Sequence, residues 1–211
     1  MPEAFYKWGN GPGAELPTVV DAHDEVLVTE DGELYDAAAG AAVANLGHDV
    51  AGVGAVAAEQ ADSVGYVSTS HFSHEATERL ARRLVEIAPD GLANPFLVNS
   101  GSEGIETAIK LARAYHRATG APDKHKVIGR WQGYHGATLG ALAASGNTTR
   151  RTAYDPLLAD WPKIDPAYPY RWDHEGTPAE AGRAAARELE RLVRQEGPET
   201  VAAFVAEPVS G

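Results

Sequence analysis

The sequence predicts an α/β fold, in which a small antiparallel β segment precedes a mainly parallel sheet with flanking helices. Short strands separated by turns containing Asp and Gly occupy the first 35 residues, which is typical of an antiparallel meander. Between residues 96 and 206, apolar strands alternate with amphipathic helices, which is typical of a parallel sheet. With 211 residues, 44% of them hydrophobic, the chain is long enough to bury a core.

The first third of the chain carries the predicted meander and two helices. Strands are predicted over residues 18–20, 25–29 and 33–35. Helices are predicted over residues 50–64 and 75–87. The second helix is amphipathic, because Leu80, Leu84 and Ile87 recur at helical spacing, and Pro89 ends it.

Strands and helices alternate in the remainder of the chain. Strands are predicted over residues 96–98, 126–129 and 201–206. The helices between and around them are predicted from Ile105 to a point before Gly120, after Gly136, and over residues 179–195. A segment rich in proline and aromatic residues, 155–172, is predicted as a loop.

Composition excludes several classes of function. The formal net charge is -12, so general binding to nucleic acid or to an anionic membrane surface is disfavoured. No apolar run approaches the length that spans a bilayer, and the first residues lack the basic head and apolar core of a secretory signal. The absence of Cys excludes disulfides, thiol catalysis and cysteine metal sites. The predicted location is cytoplasmic.

The turn after the strand at residues 96–98 has the features of a phosphate site. Ser100 and Glu103 have the spacing of a capping box, in which each side chain bonds a backbone amide at the start of a helix. Gly101 and Ser102 lie at that start, where unpaired N–H groups and the helix dipole favour an anion. The alternative is a well-capped helix that binds nothing.

Two further segments follow predicted strands and are therefore expected at the same edge of the sheet. Tyr134, His135 and Gly136 come after the strand at residues 126–129, where an aromatic ring can stack on a flat heterocycle. Glu207 follows the last strand, where a carboxylate can orient a cofactor or a substrate amine. The alternatives are an aromatic plug in the core and a solvated loop charge.

Two other patterns are weak. The run at residues 52–57 matches the dinucleotide pattern G-x-G-x-x-A, but it lies in a helical stretch with no strand before it. His71 and His74 form an isolated H-x-x-H with no third ligand at suitable spacing, so surface histidines are predicted rather than a metal site.

Three ordered motifs together resemble one family. The run FLVNSGSEGIETAIKLAR (residues 96–113) resembles the phosphate-binding segment of the class III (omega-amino acid type) aminotransferases, which are pyridoxal-phosphate enzymes of fold type I. The run VIGRWQGYHGATLGAL (127–142) resembles their aromatic segment, and AAFVAEPVSG (202–211) resembles their Glu-Pro strand end. The N-terminal region with LGH (46–48) is also similar, although Asp49 follows the histidine where the family commonly has proline.

The resemblance implies a cofactor, pyridoxal 5'-phosphate, and a role for each site residue. Gly101 and Ser102 would hold the phosphate through backbone and hydroxyl groups. Tyr134 would stack on the pyridine ring with His135 beside it, and Glu207 would lie near the reactive face of the cofactor.

The resemblance also implies a division of the chain and an incomplete site. Residues 1–48 would belong to the small domain, and residues 49–211 would form the first part of the large, cofactor-binding domain. In this family the aspartate that pairs with the pyridinium nitrogen and the Schiff-base lysine lie beyond the Glu-Pro strand, so the chain alone is expected to be inactive, with no catalytic residue of its own.

The implied reaction moves an amino group from an amine or omega-amino acid donor to a keto acid such as pyruvate. The full-length enzyme is expected to be a homodimer. Two alternatives stay open: a fragment of an aminomutase of the glutamate-1-semialdehyde type, and a non-catalytic fragment or one half of a split protein.

Overall fold

The computed structural model describes residues 16–166, 168–171 and 176–209. Lys7 and the last two residues of the AAFVAEPVSG motif lie outside the described residues. The chain divides into two compact units, residues 1–89 and 90–211. The predicted domain boundary at residue 48 stays a prediction.

The described part of the first unit begins with the predicted antiparallel meander. Its strands are β1 (Val19–His23), β2 (Val26–Thr29) and β3 (Gly32–Tyr35), and β2 lies in the middle. The first turn is tighter than the predicted turn at residues 21–24, because β1 continues to His23 and Asp24 takes a left-handed conformation with φ 46°.

The rest of the first unit is helical. A helical turn, α1 (Ala39–Ala42), precedes the helices α2 (Val53–Val64) and α3 (Glu75–Ile87). The bounds of α3 are those that the apolar spacing predicts. The His74 side chain accepts a hydrogen bond from the Ala76 amide and so caps this helix, which gives that histidine a structural role.

The LGH motif folds back onto the first turn of the meander. The His48 ring lies 3.0 Å (Nε2 to Oδ2) from Asp36, and the His48 amide donates to the Asp24 carbonyl at 2.9 Å. The amide of Gly40, more than His48 itself, lowers the pKa of Asp36. Asp49 accepts from the Asp24 amide at 2.9 Å. The residue that departs from the family pattern therefore bonds the β1–β2 turn.

The second unit contains the alternating elements. They are α4 (Gly101–Ala118), β4 (Lys126–Arg130), α5 (Leu139–Ala144), α6 (Thr148–Arg151), β5 (Lys163–Ile164), α7 (Pro178–Glu196) and β6 (Val201–Phe204). Two 3-10 turns, Thr152–Leu157 and Pro169–Arg171, lie within the predicted proline-rich loop or beside it.

The three strands that the structure describes in this unit form a parallel sheet in the order β5-β4-β6. Gly129 is paired with Lys163 and Ile128 with Phe204. An antiparallel segment followed by a parallel sheet with helices confirms the predicted fold class. Among the described residues, no helix is long and apolar enough to cross a membrane.

Two predictions for this unit are wrong. Residues 96–98 do not form a strand, because a strand needs a ladder partner and no described residue pairs with them. The strand β5 lies inside the segment predicted as a loop. Two residues are too few for a periodic pattern, and only the pairing with β4 makes them a strand.

The core of the second unit lies between the sheet and α7. Ile128, Ile164 and Leu192 are buried together, and Leu189, Val193 and Val201 pack against them. Residues 141–144 of α5, which are Leu142 and three alanines, are also buried. The strand β6 is less buried than its apolar sequence predicts, with Phe204 42% exposed, because among the described residues it pairs on one side only.

Lys163 predicts a pH dependence of stability. Its Nζ donates to the carbonyls of Ala143 (2.9 Å) and Trp161 (3.1 Å), and burial, reinforced by the charge of Arg151, lowers its pKa from 10.5 to about 8. Between pH 8 and 10.5 the unfolded chain therefore binds more protons than the folded chain. The free energy of unfolding rises with pH across that window, and this gain is lost again as the pH falls to 8.

The measurement is urea unfolding of the wild type and Lys163→Met from pH 7 to 10.5. We expect the free energy of unfolding of the wild type, relative to the variant, to rise between pH 8 and 10. Lys110→Met, which removes an exposed lysine of α4, is the matched control. A difference between wild type and Lys163→Met that stays constant across the window would contradict the prediction.

Candidate functional site

The amino-terminal end of α4 presents two unbonded amides. The Ser100 side chain accepts from the Glu103 amide (3.2 Å), and the Ser100 carbonyl accepts from the Gly104 amide (3.0 Å). The Glu103 carboxylate bonds the Asn99 amide (2.9 Å), one residue before the position that a strict capping box predicts. Within the described residues, the amides of Gly101 and Ser102 have no acceptor.

These two amides fit an anion. They lie at the positive end of an 18-residue helix, where unsatisfied N–H groups and the dipole act together. A Cβ at Gly101 would meet nothing within 4 Å, so the approach to its backbone is open. The Ser102 hydroxyl oxygen accepts from the Ala137 amide (2.9 Å), which leaves its proton free to donate to a ligand.

The loop after β4 places Tyr134 beside Glu207. The Tyr134 amide donates to Glu207 Oε1 at 2.6 Å, a short bond of the charge-assisted kind. Tyr134 is 41% exposed, and the guanidinium carbon of Arg150 lies over its ring, 4.9 Å from the centroid. The loop thus offers an aromatic surface on a backbone that is anchored to a carboxylate.

His135, the next residue, is partly buried. Its amide donates to the hydroxyl of the fully buried Ser145 (2.8 Å), which in turn donates to the Ala141 carbonyl (2.8 Å). Burial lowers the pKa of His135 against the opposing charge of Glu207, and the charge of Arg130 lowers it further. A neutral imidazole is therefore expected at neutral pH.

The start of α4 is joined to the start of α5. Glu106 accepts from the amides of Gly140 (2.8 Å) and Ala141 (3.2 Å), so a carboxylate of one helix caps the other. Gly136 has φ 144°, and a Cβ at this position would lie 2.7 Å from Ser102 Oγ. Close packing at Gly136 therefore holds the Tyr134 loop against the α4 start.

The structure brings the predicted site residues to one region of the second unit. Ser102 contacts the loop at Gly136 and Ala137, and Glu207 contacts it at Tyr134. Their contacts with a cofactor stay a prediction.

Sequence reasoning missed Glu106, Ser145 and the position of Arg150. For Glu106 a signal existed, since it follows Ser102 by one helical turn on the same face. Ser145 follows the short helix α5 and Arg150 lies in the short helix α6, and nothing in their spacing marks them.

Comparison with known proteins places these features in a family. The family model described as Aminotransferase class-III matches residues 13–211. An uncharacterized aminotransferase from Schizosaccharomyces pombe is 40% identical over 209 residues, which cover 98% of this chain and 46% of the relative. A putrescine–pyruvate aminotransferase from Pseudomonas aeruginosa is 31% identical over the whole of this chain and 46% of the relative.

A solved transaminase structure has a similar fold. The structure of an omega transaminase from Pseudomonas jessenii in complex with PMP superposes with a TM-score of 0.88 at 29% identity, over 98% of this chain and 48% of that one. The chain thus spans about half the length of the proteins that it matches.

Gly136→Ala tests the packing of the Tyr134 loop. A Cβ forces both an unfavourable φ and a clash with Ser102, so we expect the free energy of unfolding to fall by about 2 kcal/mol. The control is Gly182→Ala, in the interior of α7 with open space around its Cβ, which should raise stability by up to about 1 kcal/mol. Urea unfolding measures both, and unchanged stability of Gly136→Ala would contradict the packing described here.

Proposed function

Because the chain belongs to the class III aminotransferases, we propose that it forms the cofactor-binding part of a pyridoxal-phosphate-dependent transaminase. One observation carries the proposal: the two unbonded amides of Gly101 and Ser102 adjoin the loop that bears the exposed Tyr134 ring. An anion site and an aromatic surface on adjoining segments suit a phosphorylated aromatic cofactor.

The phosphate of the cofactor is assigned to the start of α4. The Gly101 and Ser102 amides would each donate to a phosphate oxygen, and the Ser102 hydroxyl would donate its free proton while it still accepts from Ala137. The positive end of the α4 dipole adds to the attraction.

The heterocycle of the cofactor is assigned to Tyr134. Stacking uses the exposed ring, which Glu207 anchors through the backbone and Arg150 contacts through its guanidinium. Bound pyridoxal phosphate supplies an electron sink for amino-group transfer. His135 would lie beside the ring as a neutral group, since burial disfavours its charged form.

The described lysines support a role for a lysine elsewhere in the complete enzyme. Lys124 Nζ donates to the Val201 carbonyl (2.9 Å), and Lys126 pairs with Glu196 (2.9 Å), both at the amino-terminal ends of the strands. Lys163 bonds carbonyls of α5 and the segment before β5, and Lys110 lies in the second half of α4. We infer that none of these four bonds the cofactor covalently and that the chain alone is inactive.

The proposed substrates are an amine or omega-amino acid donor and a keto acid acceptor such as pyruvate. The names of the relatives support this choice, since one is a putrescine–pyruvate aminotransferase and another an omega transaminase. They favour transfer between two substrates over the aminomutase alternative. Homodimeric assembly and a cytoplasmic location remain proposals from the family resemblance and the composition.

The affinity for pyridoxal 5'-phosphate tests the proposed function. Titration of the protein with the cofactor, followed by tyrosine and tryptophan fluorescence, should show saturable binding. Ser102→Ala removes one hydrogen bond to a charged group, so we expect the dissociation constant to rise about tenfold or more.

Ser63→Ala is the matched control, because Ser63 lies in α2 and bonds only the Gln60 carbonyl among the described residues. Its affinity should equal that of the wild type. Equal affinities of Ser102→Ala and wild type, or no saturable binding at all, would contradict the proposal.

A further inference from the structure

One oxygen of the Glu207 carboxylate bonds to the protein itself. Its Oε1 accepts from the Tyr134 amide at 2.6 Å, which joins the segment after β6 to the loop after β4 across 73 residues of sequence. The Arg130 guanidinium donates to the backbone carbonyl of Glu207, so the main chain of the glutamate is fixed as well. Glu207 is thus held from both its backbone and its side chain.

The other carboxylate oxygen is enclosed. Glu207 Oε2 is buried and has no hydrogen-bond partner among the described residues, and the same is true of His135 Nε2 and Arg130 Nε. A Cβ at Gly133 would lie 3.0 Å from Glu207 Oε2 and 3.4 Å from His135 Nε2. Both atoms therefore border the small space over Gly133, inside the loop.

This enclosure separates Glu207 from the surface that the cofactor would use. The Tyr134 ring is exposed, whereas Oε2 is closed off by the loop and Oε1 is occupied by the Tyr134 amide. A buried polar group costs free energy unless it is bonded, and the short bond to the Tyr134 amide satisfies one oxygen of this carboxylate. The charged group that faces Glu207 from β4 is Arg130, and the titratable group from the loop is His135.

We propose that Glu207 is a positioning residue, whose enclosed carboxylate acts through the Tyr134 amide to hold the Tyr134 ring at the cofactor site without contacting the cofactor itself. The inference rests on the proposed function, and it gives Glu207 a different role from the one that the family resemblance implies. It follows that the charge of Glu207 affects the orientation of the bound cofactor through the loop.

Glu207→Gln tests the role in the full gene product, because it keeps the shape and removes the charge. Hydrogen–deuterium exchange, with fragmentation that resolves single amides, measures the Tyr134 bond without cofactor. Circular dichroism at the absorption band of pyridoxal 5'-phosphate, at saturating concentration, measures how rigidly the ring is held. We expect Tyr134 exchange to become about tenfold faster and the dichroic signal per bound cofactor to fall.

Two further variants complete the design. Glu196→Gln is the matched control, since it removes a carboxylate that pairs with Lys126 at the opposite ends of the strands, and both readouts should stay at wild-type values. Gly133→Ala keeps the charge of Glu207 but crowds its Oε2, and it should change both readouts in the same direction as Glu207→Gln. Gly133→Ala also tests the positioning role if Glu207→Gln does not fold.

The outcomes separate the two proposals. Unchanged Tyr134 exchange, or faster exchange with an unchanged dichroic signal per bound cofactor, would overturn the positioning role and leave the proposed function standing. A wild-type protein that gives no dichroic signal with the cofactor would overturn the proposed function, and the positioning role with it.

Discussion

The parallel pairing of β4 with β6 is the constraint on which the site depends. Because both strands run the same way, their carboxyl ends lie at one edge of the sheet, and the segments that follow them meet there. Ile128 is paired with Phe204, so Glu207 comes level with the loop that carries Tyr134. Burial of Ile128 against Leu192 of α7 stabilises this register.

Three side-chain-to-amide bonds convert this alignment into a fixed geometry. Ser102 accepts from Ala137, Glu106 accepts from Gly140, and Glu207 accepts from Tyr134. Two of the acceptors are carboxylates, whose bonds to amides are stronger than those of neutral groups. The first two bonds hold α4 against the segment after β4, and the third holds that segment against the end of β6. The distance between the anion site and the aromatic ring is therefore fixed.

Much of this fold follows from local sequence, and the rest depends on contacts between distant residues. The bounds of α3 are predicted because its apolar positions repeat at helical spacing, and the start of α4 because Ser100 caps it. The strand β5 exists only through its pairing with β4, and two residues are too few to form a pattern that predicts it. Tyr134 is predicted from its place after β4, and Gly101 and Ser102 from the capping residues at the start of α4, although the strand predicted before them does not form. The bonds of Glu106, Ser145 and Glu207 cross 10 to 73 residues of sequence and need the folded chain.

The central claim is that the α4 start and the Tyr134 ring bind one cofactor together. A crystal structure of the full gene product with pyridoxal 5'-phosphate tests it most directly. We expect phosphate oxygens within about 3 Å of the Gly101 and Ser102 amides, with the pyridine ring stacked on Tyr134 and no direct contact to Glu207. A phosphate bound elsewhere, or a pyridine ring that stacks on another residue, would contradict it.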